Sequence, residues 1–192
     1  PTLSAMAEIG RLVSLGARRD RRDAASVLVI ARHCARQLES TDGVTVRRDG
    51  AHKLIREASY YFFERPRQPA PALGAKYPLD YPWSPLAWGR ISGVGRRPVG
   101  GWGLVLDHAI PIAVVRDEVL RRADALNADE LAELLMKELG FAVISRAEDV
   151  KLNKMGVRSR QPKKAMPDDP WARYRLLGLT PEDFVVPSLV GN

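Results

Sequence analysis

The first third of the chain is dominated by apolar residues that recur at helical spacing. This pattern predicts three amphipathic helices, over residues 5–15, 24–38 and 51–64. The turn-forming residues Asp42 and Gly43 separate the second helix from the third. We therefore expect residues 1–65 to form an N-terminal helical region.

The helical pattern gives way to a segment rich in proline, glycine and tryptophan. Six prolines lie between positions 65 and 88 and glycines follow, so residues 66–103 are predicted to form an irregular connector. Its glycines lack a preceding strand and a P-loop lysine, so we exclude a nucleotide cradle. Large aromatic residues lie among arginines in this segment, namely Tyr77, Tyr81, Trp83, Trp88 and Trp102. They could stack on nucleic-acid bases, although such residues more often pack a loop onto its domain.

Two short apolar runs follow the connector, and each predicts a β-strand. The first run, 104–112, contains the adjacent pair Asp107 and His108, and Pro111 lies near its end. The second run covers residues 141–144. The first strand should therefore end on a carboxylate beside an imidazole.

Helical patterns lie between the two strands and after the second one. Residues 114–126 and 128–139 predict an inserted pair of helices, the second beginning with a capping box of Asn127 and Glu130. After the second strand, Ser145 and Glu148 form another capping box, so a helix should run from there to Met155. The predicted order is strand, helical insertion, strand, helix.

The C-terminal part of the chain contains one further helical pattern. Residues 170–177 predict a short helix with Trp171 and Tyr174 on its apolar side, and Gly178 ends it. The tail from Thr180 is predicted to be extended, where it could cover a groove or contact a partner.

The pair Asp107 and His108 is a candidate for hydrolytic chemistry. One side chain can hold a divalent metal while the other takes a proton from water. Asp149 and Asn153 are four positions apart, so they share one helix face, and their oxygens suit a hard cation. The alternative is that His108 is a hydrogen-bonded core histidine.

Composition limits the class of protein. With 192 residues, 45% hydrophobic and 28% charged, the chain can build one soluble domain, or one domain with a helical extension. It lacks an apolar run long enough for a transmembrane helix and the pattern of a signal peptide. Cys34 is the only cysteine, which excludes an intrachain disulfide and cysteine-based zinc sites. We therefore expect a cytoplasmic protein that does not bind membranes.

The net charge of +7 indicates an anionic partner, most often nucleic acid. Residues 146–175 carry nine Lys or Arg against four Asp or Glu. Their basic strip could hold phosphates, and the alternative is a solvated loop. The basic strip consists of Arg146, Lys151, Lys154, Arg158, Arg160, Lys163 and Lys164.

Two segments resemble the HNH, or His-Me finger, endonucleases, also called ββα-metal nucleases. The resemblance rests on DHAIP at 107–111 and VISRAEDVKLN at 143–153. It implies an α+β protein in which N-terminal helices precede a ββα-metal core with a helical insertion, over residues 104–192 with a basic C-terminal extension.

The resemblance also implies an activity, which is metal-dependent cleavage of phosphodiester bonds, with DNA favoured over RNA as the substrate. Asp107 would be a metal ligand, His108 the general base, and Asn153 or Asp149 the second ligand of Mg²⁺ or Mn²⁺. Arg146, Lys151 or Arg158 could steady the phosphate.

The chain departs from the family pattern in three ways. The nearest candidate for the family's middle asparagine is Asn127, within the insertion, no histidine follows in the last helix, and paired CxxC zinc knuckles are missing. Two other classes therefore remain open. One is a nucleic-acid-binding module that has lost its chemistry, and the other is a helical protein-interaction protein in which Asp107 and His108 are structural. A protein partner or a homo-oligomer is compatible with each.

Overall fold

The fold is taken from a computed structural model, which describes residues 29, 32, 55, 56, 77, 81–92, 103–122, 124–138, 140–166 and 168–187. The four described residues of the first 65 are all helical, in agreement with the predicted helices at those positions. The remainder of that region, and most of the connector, lies outside the described residues. Where described, the chain mixes helices with a two-stranded sheet, so the α+β class is confirmed at that level.

The sheet is formed by the two predicted strands. Strand β1, Leu104–His108, pairs antiparallel with strand β2, Phe141–Ser145. In this register His108 lies opposite Phe141, and Asp107 lies opposite Ala142. The prediction that Asp107 and His108 end the first strand is confirmed.

The connector contains a short helix that the sequence analysis missed. Helix α1, Pro85–Gly89, begins after Ser84, whose hydroxyl accepts a hydrogen bond from the Ala87 amide. The prediction of an irregular connector is therefore wrong for these residues. Ser84 is a good N-cap and Pro85 fits the first helical position, which is a local signal for the start of a helix.

The aromatic residues of the connector support the packing interpretation. Tyr77, Tyr81 and Trp83 are all buried, and Tyr81 stacks on Phe141 at a centroid distance of 5.7 Å. Trp83 also forms bridges with Val143 and Val185. Trp102 lies outside the described residues.

The insertion forms two helices, as predicted. Helix α2, Ile112–Arg122, begins two residues earlier than expected, because the Pro111 carbonyl already accepts a hydrogen bond from the Val114 amide. It ends four residues earlier than expected. Helix α3, Ala128–Glu138, begins with the predicted capping box of Asn127 and Glu130. Their buried side chains share one apolar cluster with Phe141 and include Val115, Val119, Leu131, Leu134 and Leu135.

The helix after the second strand also follows the prediction. Helix α4, Arg146–Lys154, begins at the buried N-cap Ser145, whose capping box with Glu148 is complete. The chain turns at Gly156, which has a φ of +72° that favours glycine. The fully buried Leu152 packs this helix against the sheet, in a cluster with Ala142 and Ile144.

The C-terminal segment packs against the same cluster. Helix α5, Ala172–Arg175, is shorter than predicted but ends in the expected turn at Gly178. The tail is not extended throughout, because Thr180 and Asp183 cap a 3-10 turn at Pro181–Asp183. Within the described ranges, no helix is long and apolar enough to cross a membrane.

Candidate functional site

The neighbours Asp107 and His108 lie on opposite faces of the sheet. Successive side chains of a strand point to opposite faces. Asp107 shares its face with Val105, which packs against the cluster beneath α4 and α5. His108 shares the other face with Leu106 and packs on Phe141. Asp107, the expected metal ligand, and His108, the expected general base, could therefore contact the same substrate only at the end of β1.

Both carboxylate oxygens of Asp107 are bonded to the C-terminal segment. The Tyr174 hydroxyl donates to Oδ2 at 2.9 Å. Arg173 places Nη1 3.3 Å from Oδ2 and donates from Nη2 to Oδ1 at 3.4 Å. Arg173 is buried with 2% of its side chain exposed, so this is an interior ion pair.

The electrostatic surroundings of Asp107 combine opposing effects. Burial raises the pKa of its carboxyl above the ordinary value, while Arg173 and Tyr174 oppose that rise. The charge of Asp149 raises the pKa of Asp107 further. Burial also raises the pKa of Tyr174 well above its usual value, so the phenol stays protonated and can donate to Asp107.

The ring of His108 is held by packing. It is half-buried, and its centroid lies 4.4 Å from that of Phe141 at an angle of 44°. Its Nδ1 atom is buried, and its backbone carbonyl accepts from Arg173 Nη1 at 2.6 Å. These contacts suit a core histidine, and they also fix the ring at the end of the strand.

Helix α4 presents an unusual oxygen at Asn153. The side-chain Oδ1 is buried, and it has no hydrogen-bond partner within the part of the chain that the structure describes. A buried amide oxygen without a bond is costly, and it is a suitable ligand for a hard cation. Asn153 therefore fits the role of metal ligand. Asp149 stays the alternative, because its pair with the exposed Arg146 at 3.0 Å excludes it no more than the pair with Arg173 excludes Asp107.

The acidic residues do not form a conventional metal cluster. Among the described residues, no three His, Cys, Asp or Glu side chains gather closely enough to hold a metal ion. Glu148 is buried but structural, because its Oε2 accepts from the Ser84 hydroxyl and the Ser145 amide, both at 2.7 Å. Asn127, the candidate for the middle asparagine, uses its Oδ1 to cap α3.

The seven residues of the predicted basic strip are all exposed. Two other basic residues of 146–175 differ from them. Arg173 is buried against Asp107, and Arg175 pairs with Asp169. Within the basic strip, Arg146 likewise pairs with Asp149, at 3.0 Å. The other six residues of the strip lie between Lys151 and Lys164, on and after α4.

Sequence reasoning missed Arg173 and Tyr174 as partners of Asp107. They are separated from their partners in β1 by 65 to 67 residues, and no local pattern connects them. The apolar pattern of the predicted C-terminal helix indicated that Tyr174 would point inward. It did not indicate that the Tyr174 hydroxyl would donate a hydrogen bond to a carboxylate.

Comparisons of this chain with family models, with curated proteins and with solved structures find no match.

Proposed function

We propose that this chain is a metal-dependent endonuclease that hydrolyses phosphodiester bonds, with a ββα-metal core formed by β1, β2 and α4. The observation that carries the proposal is the buried Asn153 oxygen without a bonding partner in the described residues. It lies on the helix that directly follows β2, and this helix contacts β1, the strand that bears Asp107.

The donor set suits Mg²⁺ or Mn²⁺. Asp107 and Asn153 would hold the ion, with Asp149 as the alternative to Asn153. Mg²⁺ commonly binds through only one or two carboxylates, with waters and substrate phosphates completing its shell. When bound, the ion would stabilise negative charge on the phosphate and on the leaving 3′ oxygen.

His108 would act as the general base. A neutral imidazole can take a proton from the attacking water near neutral pH. Because Nδ1 is buried, Nε2 is the nitrogen that would accept this proton. Since Asp107 and His108 lie on opposite faces, the proposal requires the scissile phosphate to lie across the end of β1, beyond the last strand pair.

The basic strip would bind the flanking phosphates. Lys151 and Lys154 lie on α4 itself, and the exposed residues from Arg158 to Lys164 continue from its C-terminal end. Positive charge beside a hydrolytic site favours a polyanionic substrate. DNA is the substrate we propose.

The test is cleavage of a plasmid in the presence of Mg²⁺ or Mn²⁺, with EDTA as the control for metal. Wild type should cut, and His108→Ala should lower the rate by about 10²–10⁴-fold while DNA affinity stays unchanged. The control is His33→Ala, which replaces a histidine of the predicted helix over residues 24–38, outside the proposed site, and should cut like wild type. Undiminished cutting by His108→Ala would place the active site elsewhere.

A second candidate is a nucleic-acid-binding module without catalysis. The observation that favours it is that Arg173 and Tyr174 already bond both oxygens of Asp107. This module would bind DNA in a salt-dependent manner, but it would not cut with any divalent metal. A helical protein-interaction protein, the third class, would not bind DNA at all.

A further inference from the structure

The C-terminal segment contacts the backbone and the side chains at the end of β1 together. Arg173 Nη1 donates to the His108 carbonyl at 2.6 Å and lies 3.3 Å from Asp107 Oδ2. Tyr174 donates to the same carboxylate oxygen at 2.9 Å. Because the Arg173 guanidinium binds the His108 carbonyl and the Asp107 carboxylate at once, it restrains both the end of β1 and the Asp107 side chain.

The two side chains are themselves held in place by the fold of their segment. Tyr174 is fully buried, and its ring packs against Trp171 and Phe184 at centroid distances of 6.0 and 5.2 Å. Trp171 and Phe184 also pack edge to face at 5.0 Å. The hydroxyl that reaches Asp107 is therefore carried by a ring with little freedom to move.

Backbone hydrogen bonds tie this segment to the sheet. Val185 exchanges two hydrogen bonds with Trp83, of 2.7 and 2.9 Å. Ser84, the next residue, donates to the carbonyl of Val143 in β2 at 2.9 Å. Segment 171–186 is thus connected to both strands of the sheet, through Asp107 to β1 and through Trp83 and Ser84 to β2.

We propose that Arg173 and Tyr174 are positioning residues of the nuclease site, which orient the Asp107 carboxylate and the end of β1 for metal binding. This inference rests on the proposed function. Partners that orient a ligand commonly change metal affinity or activity by roughly 10–100-fold when they are replaced. Segment 171–186 is therefore part of the site.

Tyr174→Phe is the sharpest variant, because it removes one hydroxyl and keeps the ring. Tyr77→Phe is its matched control, since Tyr77 also has a buried hydroxyl that donates to β1, to the Leu104 carbonyl at 3.0 Å. The probe is Mn²⁺ alone, with free ion counted by electron paramagnetic resonance. Tyr174→Phe should bind Mn²⁺ roughly tenfold or more weakly than wild type, whereas Tyr77→Phe should bind it as wild type does.

Cleavage provides the second readout. Raising the Mn²⁺ concentration should restore cutting by Tyr174→Phe, because only metal binding is weakened. A merely structural role would lower stability without changing the Mn²⁺ dependence of the folded protein. Arg173→Lys keeps the charge but loses the two-pronged contact, and it should show the same shift.

The outcomes separate this inference from the proposed function. If wild type binds Mn²⁺ and cuts DNA, and Tyr174→Phe does both equally well, the positioning role is wrong while the nuclease stands. If wild type neither binds Mn²⁺ nor cuts, the nuclease proposal is wrong and the inference is overturned with it. Arg173→Lys can unfold the protein by disturbing a buried ion pair, so the decision rests on Tyr174→Phe, which leaves that pair intact.

Discussion

Asn153 and Asn127 make the clearest contrast between single residues in this protein. Asn127 uses its side-chain oxygen to accept from the Glu130 amide at 2.9 Å and so stabilises the start of α3. The corresponding oxygen of Asn153 is buried and has no such bond within the described part of the chain. A buried oxygen without a bond destabilises the folded protein by about 1–3 kcal/mol, which a bound cation would offset.

Replacing each asparagine by alanine should therefore have opposite effects. Asn153→Ala should leave the metal-free protein at least as stable as wild type, because a buried unbonded oxygen is removed. It should also lack the rise in melting temperature that we expect Mn²⁺ to give wild type. Asn127→Ala should cost about 1 kcal/mol through the lost cap and should keep the Mn²⁺ effect.

Thermal melts with and without Mn²⁺ measure both quantities. Strong destabilisation of metal-free Asn153→Ala would show that its oxygen is satisfied in the folded protein. An undiminished Mn²⁺ effect in that variant would remove Asn153 from the metal site.

Among the elements, α4 depends most on a buried cap. Ser145 is fully buried, its hydroxyl accepts from the Glu148 amide, and Glu148 in turn binds Ser84 near α1. The cap of α3 has the same pattern but is exposed to solvent. Water can replace a lost bond at the exposed cap, but it cannot do so in the interior.

Ser145→Ala should consequently destabilise the protein more than Asn127→Ala. We expect about 1–3 kcal/mol for the buried cap and about 1 kcal/mol for the exposed one. The free energy of unfolding in urea measures both. Equal losses would mean that burial of the Ser145 hydroxyl does not raise the cost of losing the cap.

Elements with a local signal could be predicted from the sequence. Two capping boxes located the starts of α3 and α4, and apolar runs located β1 and β2. Helix α1 was missed although Ser84 and Pro85 carry the usual start signal, because the five other prolines between positions 65 and 88 favoured an irregular segment.

Contacts between distant segments could not be predicted in this way. Trp83 bridges Val143 and Val185, and Arg173 reaches Asp107 across 66 residues. Such contacts depend on how the elements pack together, about which spacing within one element carries no information. The sequence therefore identified Asp107 as a candidate ligand but not the residues that surround it.

At the scale of the whole molecule, positive charge is the feature that most directly suggests a partner. The net charge is +7, and the seven residues of the basic strip are exposed. Each phosphate contact made by such residues releases counterions, so DNA affinity should fall steeply as salt rises. Seven cations predict a slope of log affinity against log salt of roughly −4 to −6 if most of them touch phosphate.

A double variant of Lys163 and Lys164 to Gln tests which charges are used. It should reduce the magnitude of this slope by roughly two. Arg121→Gln is the matched control, because Arg121 is exposed on α2 and pairs with Glu118 outside the basic strip. Fluorescence anisotropy at several salt concentrations gives the slopes. A flat response for wild type would contradict a phosphate-dominated interface.

The most direct measurement of the central claim is the position of Mn²⁺ in crystals of the protein. We expect an anomalous scattering peak in contact with both the Asp107 carboxylate and the Asn153 Oδ1, at the roughly 2.0–2.6 Å that hard cations prefer. The peak should be lost from crystals of Asn153→Ala. Crystals soaked in Mn²⁺ that show no peak there, with Asp107 bound only to Arg173 and Tyr174, would contradict the claim.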